Sequence, residues 1–347
     1  MINSLPLTAT IYQPHAIDGD FVGKHIVTVE QFSRADLTTL FAWVSDLRTR
    51  VHAHDRSLLD LCAGKVMATL FYESSTRTDM SFQAAMLRLG GEVIATSGGV
   101  QFSSVYKGEN LADTLRAVGC YADALVLRHP EVRSSYEAAY QLDLLGEKLG
   151  TRPVVISGGD GVGEHPTQAL LDLYTIFDFK GSADGLNITL VGDLVNGRTV
   201  HSLAKLLALH GATGTRLNFV APPALRMPAS ILNLVQAHGI ATYETDALED
   251  VLGDTDVLYW TRIQQERFAS RAAYDAIADH FIMTPDVLQR AKPDMILMHP
   301  LPRKHEMGTP ADHALLDADP RSVYFHQMHN GMMVRMAVLA ATLGARL

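Results

Sequence analysis

The stretch VMATLFYESSTRTDMSFQAAMLRLGG, residues 66–91, decides the fold. Val66–Phe71 is an almost unbroken apolar run of strand length. A polar loop, Glu73-Ser74-Ser75-Thr76-Arg77-Thr78, follows it. Met80, Phe82, Ala85, Met86 and Leu89 then form an apolar stripe at mostly helical spacing, and Gly90-Gly91 stops the helix. The same order recurs three times. Ala124–Leu127 leads into Arg128-His129-Pro130. Ile188–Val191 leads into Gly192-Asp193 and Asn196-Gly197-Arg198. Met295–Met298 leads into His299-Pro300-Leu301-Pro302-Arg303. Short apolar strands alternating with helices predict an α/β chain with parallel sheets. In such sheets ligands bind outside the carboxyl ends of the strands, where these polar residues fall.

At 347 residues the chain is long enough for about two domains. Residues 1–24 read as a loose polar lead-in with isolated apolars. Helical text begins at Val29, with Phe32, Leu37, Leu40, Phe41, Val44 and Leu47 on one face. The glycine-rich stretch Gly158–Pro166 marks the expected boundary in mid-chain. Hydrophobic residues at 47% and charged residues at 19% exclude disorder and coiled coil. With 29 Lys+Arg against 38 Asp+Glu, the net charge of −9 argues against a nucleic-acid partner, which needs a basic face. No apolar run reaches membrane-spanning length, and the first residues lack the pattern of a signal peptide. Two cysteines, Cys62 and Cys120, make no disulfide framework, so a reducing cytoplasm is the expected compartment. The fifteen histidines are scattered outside any metal-ligand spacing, so neither a metal nor another cofactor is expected.

The Ser75–Thr78 loop carries the sharpest chemistry. One hydroxyl at a helix start is ordinarily a cap. Three hydroxyls and an arginine at a helix N-terminus, directly after a strand, make an anion site from backbone N–H groups, the helix dipole and a guanidinium. Gly192-x4-Gly197-Arg198-Thr199 nearly matches a phosphate-cradling loop, but arginine stands in the lysine position, and arginine favours a planar carboxylate. His165 opens a further helix with Gln168 one turn on, which offers a ring and an amide to one small ligand. Lys107, taken alone, is an ordinary loop lysine.

Seven segments together are recognisable: FYESSTRT, SSVYKGENLADT, LVLRHP, GDGVGEHPTQALLDLYTI, GDLVNGRTVHSL, DVLYWTRIQQERF and MHPLPR. In this order the chain resembles the aspartate carbamoyltransferases, from about Lys24 to Leu347. STRT and HPTQ indicate the wider transcarbamylase group. Thr261-Arg262-Ile263-Gln264 and His299-Pro300-Leu301-Pro302-Arg303 resemble its aspartate branch rather than the ornithine branch, for which an SMG loop and His-Cys-Leu-Pro are expected.

The resemblance implies two α/β domains after the 1–24 lead-in, 25–165 for carbamoyl phosphate and 166–320 for L-aspartate. It adds a C-terminal helix within 321–347, about Arg335 to Leu343, that packs back on the first domain. It implies transfer of the carbamoyl group to the aspartate amine, the committed step of pyrimidine synthesis. Ser75, Thr76, Arg77 and Thr78 would hold the phosphate, with Ser103, Lys107 and Arg128. Thr78, Arg128 and His165 would face the carbonyl oxygen. Gln168 and the backbone carbonyls of Pro300 and Leu301 would accept from the carbamoyl NH2, next to Pro302 and a cis bond before it. Arg198, Arg262, Gln264 and Lys107 would clamp the aspartate carboxylates. The resemblance also implies a homotrimer in which Ser103 and Lys107 serve a neighbour's site, and it leaves a regulatory chain or pathway partner open. Asp79, Val195, Lys304, His305 and His329 depart from the usual pattern, none at an implied substrate contact. Three alternatives stand beside this reading: a noncatalytic homologue, a transcarbamylase for another amino acid, and a nucleotide hydrolase using Gly192–Thr199.

Overall fold

The structure, a computed structural model, describes residues 12–96, 108–264, 268, 270–275, 277 and 280–347. The chain divides into two compact units, residues 1–170 with 330–347 and residues 171–329. The helices Pro166–Lys180 and Tyr324–Thr342 each contribute residues to both.

The first unit holds a sheet of four parallel strands: β1 Val66–Phe71, β2 Glu92–Ala95, β3 Ala124–His129 and β4 Val154–Asp160. Their spatial order is β2-β1-β3-β4. After β1 the chain steps one way to β2, then returns to lay β3 on the other side of β1. The switch point therefore lies between β1 and β3. Central strands read as continuous apolar text because both faces are covered. Ala68, Leu70, Leu125, Leu127 and Val155 pack with the helix residues Leu115, Ala138 and Leu142.

The second unit repeats the plan with five parallel strands: β5 Asn187–Val191, β6 Arg216–Val220, β7 Ala241–Thr245, β8 Val257–Trp260 and β9 Ile296–Met298. Their order, β7-β6-β5-β8-β9, puts the switch point between β5 and β8. Val191, Val220, Leu258, Trp260 and Leu297 form its core with Leu248, Met283 and Leu316.

Three local readings change. The long N-terminal helix is Arg34–His52 rather than starting at Val29, because Ser33 and Asp36 form a reciprocal capping box there. The lead-in is packed rather than loose from Tyr12 onward. Ile17 and Phe21 are buried, and the Lys24 ammonium donates to the Ala16 and Ile17 carbonyls at 2.7 and 2.5 Å. Isolated apolars carry no periodic signal, so sequence could not show this. Met80 leaves the apolar stripe: at 63% exposure it lies on the outer face, while Phe82, Ala85, Met86 and Leu89 are fully buried at 3–4 residue spacing. No helix among the described residues is long and apolar enough to cross a membrane.

Candidate active site

In each unit several of the sequence-predicted residues lie at the carboxyl ends of the two strands that flank the switch point, where an open α/β sheet leaves a crevice. His165 and Gln168 instead follow β4, and the Pro300–Pro302 turn follows β9. In the first unit these strands are β1 and β3. The loop after β1 delivers Ser75 to the N-cap of the helix Thr76–Arg88, yet its side chain makes no capping bond there. The ordinary reading of a serine at this position therefore fails. Thr78 is buried in the first turn, and its hydroxyl lies 3.3 Å from Nε2 of buried His165. Thr76 and Arg77 are exposed.

Arg128, at the end of β3, is mostly buried. Its Nη1 donates to the Gly158 carbonyl at 3.0 Å and its Nη2 lies 3.5 Å from Glu73. Its own carbonyl accepts from the Tyr72 N–H at 2.8 Å, which zips the first residue after β1 to β3. The guanidinium is thus braced by both neighbouring strand ends. Next to it the edge of His129 meets Tyr72 at 4.6 Å between centroids. Burial holds this ring's pKa down at about 4, against an opposing pull from Glu73, so it is neutral at pH 7.

His165 and Gln168 are fixed from the loop that precedes them. The Asp160 carboxylate accepts from the backbone N–H groups of Glu164 and Arg133 at 2.6 and 2.8 Å. Glu164 accepts from the Thr28 hydroxyl and the Val29 N–H at 3.1 and 2.9 Å. Pro166 then starts the helix, and the His165 carbonyl takes the N–H groups of Gln168 and Ala169 at 3.0 and 3.2 Å. Ser103 and Lys107 lie outside the described residues.

In the second unit the pair is β5 and β8. Gly192 has φ +118°, and a Cβ there would stand 2.3 Å from the Thr261 carbonyl oxygen, so only glycine lets the two strand ends approach. Fully buried Asp193 joins the two loops. It accepts from the Asn196 N–H at 3.0 Å, from the Asn196 side-chain amide at 3.1 and 3.2 Å, and from the Gln264 N–H at 3.2 Å. Burial raises its pKa, and these donors offset only part of that rise. Gln264 also donates its side-chain amide to the Asn196 carbonyl at 3.0 Å. Half-buried Arg198 opens the helix Arg198–His210 behind Gly197, and half-buried Arg262 follows β8. Val195 is exposed and makes no part of this lattice.

The Pro300–Pro302 turn follows β9 in the same unit, with Leu301-Pro302 cis. His299, just before the turn, and Glu306, just after it, are both buried. Burial favours a protonated Glu306, but hydrogen bonds from His299 and the Lys304 N–H outweigh it and leave its pKa below the ordinary glutamate value. Among the described residues no group of three or more His, Cys, Asp or Glu could hold a metal ion. Sequence reading missed Asp160, Glu164, Glu306 and Gln327 as supports. Asp193 and Asn196 had a signal, since both crowd a loop poorly suited to wrapping phosphates.

The chain thus has two parallel α/β units, each with arginine- or hydroxyl-bearing loops at its own switch point that form a candidate anion site. The chain belongs to the aspartate/ornithine carbamoyltransferase family, whose carbamoyl-P binding domain matches residues 24–178 and whose Asp/Orn binding domain matches residues 184–342. It is 50% identical over 324 residues to the multifunctional protein CAD of Squalus acanthias, covering 93% of this chain but only 14% of that protein. It is 43% identical to the aspartate carbamoyltransferase catalytic subunit of Methanocella arvoryzae, covering 94% of this chain and 99% of that one. Among solved structures it is similar to aspartate transcarbamoylase from Trypanosoma cruzi in complex with N-(phosphonacetyl)-L-aspartic acid. That match has a TM-score of 0.84 and 42% identity over 93% of this chain and 97% of the other.

Proposed function

We propose that the protein transfers the carbamoyl group of carbamoyl phosphate to the amino group of L-aspartate, giving N-carbamoyl-L-aspartate and phosphate in pyrimidine synthesis. The observation that carries this reading is the uncapped Ser75 beside the Thr78–His165 contact at one switch point, with Arg198 and Arg262 flanking the other. The amine attacks the carbonyl carbon, a C–N bond forms, the C–O bond to phosphate breaks, and the proton shed by the amine leaves on the phosphate. Because carbamoyl phosphate is a reactive anhydride, positioning and charge stabilisation suffice and no covalent intermediate is required.

Ser75, Thr76, Arg77 and Thr78 bind the phosphate with Arg128, Ser103 and Lys107. Thr78, Arg128 and His165 stabilise the developing oxyanion. Gln168 and the carbonyls of Pro300 and Leu301 accept from the carbamoyl NH2. Arg198, Arg262 and Lys107 bind the aspartate carboxylates. Gln264 joins them through the second N–H of its amide, the first being engaged by Asn196. The proposed assembly is a homotrimer in the cytoplasm, with Ser103 and Lys107 completing a neighbour's site. Colorimetric detection of carbamoylated product with L-aspartate and with L-ornithine tests the reading. Product should form with aspartate alone, and equal or faster turnover of ornithine would overturn the assignment.

A further inference from the structure

The turn after β9 is held by an arrangement that determines where its carbonyl points. Nδ1 of His299 accepts from the Leu301 N–H at 2.9 Å. A ring nitrogen that accepts carries no proton, so the neutral His299 must bear its proton on Nε2. That nitrogen lies 3.2 Å from Oε1 of Glu306 and donates to it. The same oxygen accepts from the Lys304 N–H at 2.8 Å, so one carboxylate clamps the chain on both sides of the turn. The His299 backbone is held as well. Its N–H donates to Gln327 Oε1 at 2.9 Å, and Gln327 Nε2 donates to Asp172 at 2.6 Å. Tyr259 donates to the other oxygen of Asp172 at 2.7 Å.

We infer that His299 and Glu306 are positioning residues for carbamoyl transfer: Glu306 fixes the His299 tautomer, and His299 thereby aims the Pro300 carbonyl. Pro300 C=O and Leu301 N–H belong to one planar trans peptide unit, so they point in opposite directions. Drawing the N–H onto the buried ring turns the carbonyl away from it. The inference rests on the reading above, in which that carbonyl accepts from the carbamoyl NH2. Lys304 takes part through its backbone alone, which explains why an unusual side chain is tolerated there.

Two substitutions separate aiming from mere support. His299→Asn places an amide oxygen near Nδ1, keeping an acceptor for Leu301 while losing Glu306. His299→Gln reaches toward Glu306 but leaves the Leu301 N–H without its acceptor. A partly buried donor so deprived no longer holds the turn, which should lower kcat by about tenfold or more, whereas His299→Asn should stay within about threefold of wild type. KM for aspartate should move little in either. Glu306→Gln, which can present an amide N–H to Nε2 and so favour the wrong tautomer, should act like His299→Gln.

Imidazole 15N spectra of the ligand-free protein, with the His299 signal identified by its loss in His299→Asn, should show the proton on Nε2. This spectrum is independent of turnover, so it tests the tautomer even if wild type fails to carbamoylate aspartate, a failure that would instead sink the functional reading. A proton on Nδ1, or activities of the variants that simply follow their thermal stabilities, would overturn the inference.

Discussion

Thr78 and His129 show how burial assigns different duties to polar side chains. The Thr78 hydroxyl is buried at a helix start, within 3.3 Å of His165, and is proposed to face the carbonyl oxygen as charge develops on it. Thr78→Val keeps the shape and removes the donor. Its kcat should fall by about a hundredfold or more, the usual cost of one oxyanion donor, with little change in unfolding midpoint. Unchanged kcat would remove Thr78 from that role. His129 is buried without being a proposed ligand, and its effect is on stability. Unfolded histidine binds its proton near pH 6.5, whereas burial lowers the folded value to about 4. Its contribution to stability is therefore fully present above about pH 6.5 and is lost as pH falls toward 4, up to about 3 kcal/mol. His129→Asn keeps an acceptor for the Glu131 N–H, which now donates to Nδ1 at 3.2 Å, and should flatten this acid decline. Denaturant midpoints of both proteins at pH 7 and pH 5 check it, and parallel declines would refute it. The STRT hydroxyls were legible because they sit together in sequence. The roles of His299 and Glu306 were not, because tautomer and peptide orientation are properties of contacts.

The strand ends β5 and β8 set how closely Arg198 and Arg262 can be mounted. Gly192→Ala adds a methyl 2.3 Å from the Thr261 carbonyl oxygen and keeps a positive φ that alanine tolerates poorly. The loop after β8 must move, carrying Arg262 and Gln264 with it. Stability should drop by about 1–3 kcal/mol. KM for aspartate should rise while KM for carbamoyl phosphate stays near wild type, because the phosphate-binding candidates Ser75–Thr78 belong to the other unit. Equal changes in both constants would argue against this division of labour. Strand–loop–helix units were legible from the sequence because apolar runs, loop residues and helical spacing are local. The strand order was not, since β1 pairs with β3 across more than fifty residues of chain, and a parallel register has no local signature. The switch points, and hence the reason these particular loops matter, became visible only with that order. Gln264 is a similar case: its tie to Asn196 depends on Asp193, which reaches across from another strand end.

For the chain as a whole, Met80 at 63%, Leu87 at 54% and Ile94 at 41% exposure leave apolar surface on the helix Thr76–Arg88 and the adjoining edge strand β2. Met80 and Leu87 stand seven residues apart, on one side of that helix. The proposed homotrimer would give these apolar side chains a neighbour to cover them. The proposed homotrimer has a sharper consequence, since Lys107 of one chain would complete the site that holds Arg77 of the next. Lys107→Ala and Arg77→Ala chains should each be inactive alone. A mixed trimer of either composition contains one junction at which an intact Arg77 meets an intact Lys107, one at which both are lost, and one with a single defect. Each mixed trimer therefore carries one wild-type site. Random exchange of equal amounts should restore about a quarter of wild-type activity, a fraction set by cyclic three-fold symmetry. Subunit exchange is verified with a mass-tagged chain. A dimer of mutually completing sites would also rescue activity, so the mass of the active species is measured in the same experiment. Mixtures that exchange subunits yet stay as inactive as their parents would show that Lys107 serves its own chain or none.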